Sequence, residues 1–211
     1  MTHIEICVED QSGKLLLEAI LPKILREDVS YRVHGYRGIG HVPKGLKTTD
    51  DAQKRLFLDN LPKLIRGCAV TPYISMLMLI LDNDTRNCGQ FLAELKSIHS
   101  AVAPAANVIF RLAIEEGEAW LLGDKDAVLA AYPKAKQSVL DSYVQDAICG
   151  TWEVLADAIE PAGSAGLIAE GWPAPGVAKC KWATAIGEKM EPARNVSPSF
   201  QKFLKALNPY M

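Results

Sequence analysis

The run Ser75-Met76-Leu77-Met78-Leu79-Ile80-Leu81 is apolar at every position after its first and stops abruptly at Asp82-Asn83-Asp84. A strand with apolar side chains on both faces belongs inside a parallel sheet covered by helices, and ligands of such sheets gather at the strands' carboxyl ends. Asp82 and Asp84 stand at that end. Strand side chains alternate, so residues two apart share a direction and can grip one hard cation through oxygen. Without a cation, two carboxylates held so close repel one another. The plainer alternative is an Asp pair that only starts a loop.

The flanking segments fit the same architecture. Ile4 to Val8 reads as a first strand ending at Glu9-Asp10, followed by apolar residues at helical spacing from Leu17 to Leu25, with Pro22 shortening that helix. Ser30 to Gly35 forms a second strand before a glycine-rich loop carrying Arg37, His41, Lys44 and Lys47. An amphipathic helix is expected over Asp50 to Ile65, interrupted near Pro62. After the apolar strand come a helix following Asn87 and a strand from Val108 to Ala113, which ends beside Glu115, Glu116 and Glu118. The alternation implies an α/β fold with a parallel sheet flanked by helices and a mainly helical C-terminal part. We divide the chain into a core over 1–123 and a helical extension over 124–211 packed on it. In the extension, helices are expected over Lys125 to Tyr132, Gln137 to Ile148, Thr151 to Ile159 and Val177 to Met190. Pro161 to Gly176 reads as a surface loop with Trp172 as anchor, and Ser197-Pro198 as an N-cap and first helical residue.

Glu9, the pair Asp82 and Asp84, and the group Glu115 to Glu118 end three separate strands, so a parallel sheet delivers them to one edge. Several carboxylates in one crevice are best tolerated around a divalent cation, and hard oxygen donors without histidine or thiolate favour Mg2+, with Mn2+ as substitute. Arg111 either meets a phosphate near these acids or pairs with Glu115 or Glu118. Arg37, Lys44 and Lys47 form either a phosphate-binding loop or an ordinary solvated one. His34 suits a hydrogen-bonded structural role and Trp120 the core. Ser12-Gly13-Lys14 lacks the upstream glycine and following Ser or Thr of a nucleotide P-loop, which argues against ATP binding by this chain.

Composition sets outer limits. With 211 residues, 49% of them hydrophobic, and a formal charge of -2, the chain can bury a large core, and any nucleic-acid contact must come from a local basic patch. Five cysteines without C-x-x-C spacing disfavour a disulfide framework or a zinc site and suit a reducing cytoplasm. No apolar run approaches the ~20 residues that span a bilayer, and no signal core is visible.

Val8-Glu9 opening a strand-helix unit, with Leu81-Asp82-Asn83-Asp84 closing a later strand, resembles the glutamate and D-x-D motif of Toprim domains. Val33-His34-Gly35-Tyr36-Arg37-Gly38, the stretch Arg111 to Asp124, and Ser197-Pro198-Ser199-Phe200 resemble more specifically an uncharacterised bacterial Toprim-like family, domain of unknown function 4276, over most of the chain. The resemblance implies Glu9 in general acid/base chemistry, Asp82 and Asp84 as Mg2+ ligands, and making or breaking of phosphodiester bonds in DNA or RNA. It also implies an ATPase partner in antiviral defence loci. Asp10 stands where Toprim domains usually carry glycine, and Thr85-Arg86-Asn87 lacks the glycine usual after the second aspartate. The expected function is therefore a Mg2+-dependent nuclease; the alternative is a noncatalytic Toprim-like partner of an ATPase or nucleic acid. Haloacid-dehalogenase phosphatases and nucleotide-sugar transferases also use D-x-D, but no convincing later acidic pair supports the phosphatase reading.

Overall fold

The computed structural model describes residues 2–36, 58–171 and 173–211. Arg37, His41, Lys44, Lys47, Trp172 and the first part of the helix expected from Asp50 lie outside them.

Four parallel strands, β1 (Thr2–Val8), β2 (Val29–Gly35), β3 (Ile74–Asp82) and β4 (Val108–Ala113), are ordered β2-β1-β3-β4. The protein is thus an α/β fold, and the apolar run forms a central strand. Its alternation serves two cores. Met76, Met78 and Ile80 join Ile4, Ile6 and Val8 in one cluster, while Leu77, Leu79 and Leu81 join Cys7 in the other.

The second cluster is closed by α2 (Leu61–Val70) and α3 (Cys88–Val102). Pro62 opens α2 rather than interrupting it, because proline's missing N–H costs nothing in the first turn. The first cluster is closed by α1 (Gln11–Ile20) and by helices that follow the sheet: α4 (Glu118–Leu122), α5 (Lys125–Ala131), α6 (Gln137–Ser142), α7 (Thr151–Ile159), α8 (Gly163–Glu170), α9 (Ala174–Lys189) and α10 (Pro198–Leu207). α9 lies along α1, and α10 lies against β4. Trp120, 2% exposed, stacks with Phe200 and Phe203 and donates its indole N–H to Ser199.

Two expectations in the helical part are corrected. The segment read as a loop over 161–176 contains α8. Gly163, at φ +63°, lets the Asp157 carboxylate reach the Ser164 N–H at 2.7 Å, so the glycine starts a helix instead of dissolving one. The helix expected over 137–148 ends at Ser142. Beyond it Asp146, at φ +58°, accepts hydrogen bonds from Ser197 Oγ and the Ser199 N–H. These long-range bonds outweigh continuation of the helix. All five cysteines are free thiols, and among the described residues no helix is long and apolar enough to cross a membrane.

Candidate active site

In the order β2-β1-β3-β4, the chain leaves β1 toward one edge and β3 toward the other. A crevice between the carboxyl ends of β1 and β3 is where open parallel sheets bind ligands. Val8 pairs with Ile80, which sets Glu9 and Asp82 beside each other just past that register. The Asp82 N–H donates to Glu9 Oε2 at 3.3 Å. Both side chains line a pocket of about 30 Å³, with Asp10, Glu118 and an apolar floor that includes Leu16, Leu17 and Trp120. That volume has room for roughly two waters, enough for a hydrated ion contact but not for a nucleotide.

Electrostatics mark the same spot. Burial raises the Glu9 carboxyl to about 7 against the Asp82 N–H, with Asp84 and Asp10 adding and Arg86 opposing. Burial, then Glu9, Asp10 and Glu118, push the Asp82 carboxyl well above the usual range against the pull of Lys179. Among the described residues, no group donates a hydrogen bond to the Asp82 carboxylate. Hard oxygens turned on one another in a small pocket fit a divalent cation by chemistry and size, and Glu9 and Asp82 are the residues that would hold it.

A complete ligand set is not assembled. Among the described residues, no three His, Cys, Asp or Glu side chains are arranged to hold a metal ion, and each neighbouring acid is engaged elsewhere. Asp10 caps α1, accepting from the Gly13 N–H at 2.7 Å and Ser12 Oγ at 2.8 Å. Gly35 passes close to the same turn: a Cβ on it would stand 2.8 Å from the Asp10 carbonyl oxygen. Asp84 does not share the direction of Asp82. β3 ends at Asp82, Asp84 turns to φ +47°, and its carboxylate pairs with Arg86 at 2.6 Å. Strand alternation therefore stops before it can align the two aspartates. Arg86 also lies over the Phe91 ring at 5.0 Å.

The acids after β4 divide in role. Glu115, at φ +54°, accepts from the N–H groups of Cys149, Gly150 and Thr151 and from Thr151 Oγ1. These bonds outweigh burial and lower its carboxyl, so Glu115 caps α7. Glu118 is 3% exposed and faces the pocket. Lys179, from α9, sits 3.2 Å from Glu116 Oε2 and 3.3 Å from Glu118 Oε2. Burial would lower the Lys179 ammonium, but Glu118, Glu116 and Asp82 outweigh it and hold the side chain charged. Nothing in the pattern around Lys179 signals this, since a lysine within a helical run ordinarily faces water. Arg111 pairs with no acid among the described residues: its guanidinium donates to the carbonyls of Lys202 and Phe110, tying α10 to β4. His34 is engaged by Glu5 at 2.6 Å. Arg37, Lys44 and Lys47 are outside the described residues.

Neither the curated proteins nor the solved structures contain a significant match to this chain. The family described as Domain of unknown function (DUF4276) matches residues 8–208, from the last residue of β1 to just past α10 and thus across the whole acidic edge, and the chain belongs to that family.

Proposed function

We propose that the protein is a Toprim-like, Mg2+-dependent phosphodiesterase acting on DNA or RNA, working with an ATPase partner in bacterial defence. The observation that carries this reading is the meeting of Glu9 and Asp82 at the crevice between the central strands, with Asp84 two residues further on. A bound divalent cation supplies charge neutralisation at the phosphoryl oxygens and a more acidic water. Burial raises the Glu9 carboxyl to about 7 in the metal-free chain, and Glu9 is proposed to take or return a proton from its place beside Asp82. Asp82 offers a carboxylate to which no described residue donates, and Asp84 joins it on release from Arg86. Arg37, Lys44 and Lys47 are proposed to follow the nucleic-acid backbone, as expected from their glycine-rich setting.

The test is Mn2+- or Mg2+-dependent cleavage of DNA and RNA by Glu9→Gln. The variant should retain its fold and lose on the order of a hundredfold to ten-thousandfold in rate. Cleavage at the wild-type rate removes Glu9 from the chemistry. The Asp84–Arg86 pair and the engaged neighbouring acids favour one second reading: a noncatalytic member that binds an ATPase or nucleic acid. In that case neither wild type nor variant cleaves, while nucleic-acid or ATPase binding persists in both.

A further inference from the structure

A cation of the protein's own stands against one acid of the pocket, Glu118, and it comes from the C-terminal helices. Lys179 extends from α9, with its side chain only 17% exposed, to Glu116 and Glu118 on the turn that leads from β4 into α4. Its charge is also felt at Asp82. Of the acids lining the pocket, Asp10 is committed to the α1 cap, whereas Glu118, among the described residues, is held by this ammonium. A buried lysine with a single carboxylate partner could not give that partner up without a heavy desolvation penalty. Lys179 has two, so it can release Glu118 and remain paired with Glu116.

We propose that Lys179 is a positioning residue that acts as the pocket's resident counter-cation. A divalent cation competes with it, and metal entry is coupled to transfer of Glu118 from Lys179 to the metal, with Glu116 retaining the lysine. The inference rests on the metal reading above and adds to it a third ligand and the element that withholds it. It also gives α9 a role at the crevice, since moving this helix along α1 would change the charge offered to the metal. By linkage, pairing of Lys179 with Glu118 weakens metal binding by the same factor as metal binding weakens that pairing, so weakening the pair should strengthen metal binding and confining Lys179 to Glu118 should weaken it.

The experiment is calorimetric titration of the full chain with Mn2+ at neutral pH, using wild type, Lys179→Met, Lys179→Arg, Glu116→Gln and Asp82→Asn. Lys179→Met should bind Mn2+ at least about fivefold more tightly, the low end of typical coupling between sites, and Lys179→Arg should return toward wild type. Glu116→Gln leaves Lys179 no alternative partner, so its affinity should fall by a similar factor. In chelator Lys179→Met should melt below wild type and recover more on adding Mn2+. Should Lys179→Met fail to fold, the weakening by Glu116→Gln decides. If wild type takes up no Mn2+, the functional reading falls and this inference with it. If wild type binds, Asp82→Asn abolishes binding, and Lys179→Met and Glu116→Gln leave it unchanged, only the role of Lys179 is overturned.

Discussion

Glu9 is an acid whose folded environment prefers its neutral form. Its carboxyl moves from an ordinary 4.5 to about 7, chiefly through burial. Between those values the folded chain keeps a proton that the unfolded chain releases. The stability this contributes is complete below about 4.5 and is lost as pH rises through about 7. Glu9→Gln keeps the acceptor for the Asp82 N–H but cannot ionise. In metal-free buffer it should match wild type at about pH 4.5 and exceed it at about pH 8, by at most on the order of 3 kcal/mol. Urea unfolding at the two pH values measures the difference, and an equal gap at both would show that Glu9 is not the strained acid. The like-charge strain expected between Asp82 and Asp84 lies instead between Asp82 and Glu9, because Arg86 neutralises Asp84.

At the scale of elements, the ends of β3 and β4 are turned by two left-handed residues that bond to each other, the Asp84 N–H donating to the Glu115 carbonyl at 2.9 Å. Such backbone is uncommon outside glycine and clusters where function or tertiary bonds hold it. Here Glu115 is held by α7, whose first N–H groups would otherwise lack partners. Glu115→Ala should therefore destabilise the chain by about 1–3 kcal/mol. The loss in thermal melts should be the same with chelator as with saturating Mg2+. A loss appearing only with Mg2+ would make Glu115 a ligand rather than a cap.

At the scale of the whole molecule, one of the two cores is built jointly by the sheet and the C-terminal helices. Leu16, Ile20, Met78 and Ala113 share a cluster with Trp182, Ile186, Phe200 and Phe203. Without α9 and α10, that face of the sheet and of α1 meets water, at a cost of about 25 cal/mol for each Å² of apolar surface left exposed. A fragment ending at Gly123 is therefore expected to lack a cooperative thermal transition by circular dichroism, although it holds β1 to β4. A sharp, reversible melt of that fragment would show that the sheet and α1 to α4 stand alone.

The sequence by itself determined the parallel sheet. An apolar run with both faces dry has few other places to go, and Glu9, Asp82 and Glu118 follow strand ends that any such sheet gathers on one edge. Ser197-Pro198 and Asn87 were equally legible, since caps act within four residues, and both accept from the helix they open. Tertiary structure alone decided which acids face the pocket. Asp84 turned away because its strand had ended, Glu115 became a cap because α7 arrives beside it, and Arg111 was taken by α10. Lys179 was invisible for the same reason: its partners lie more than sixty residues away, and only the packing of α9 on α1 brings them together.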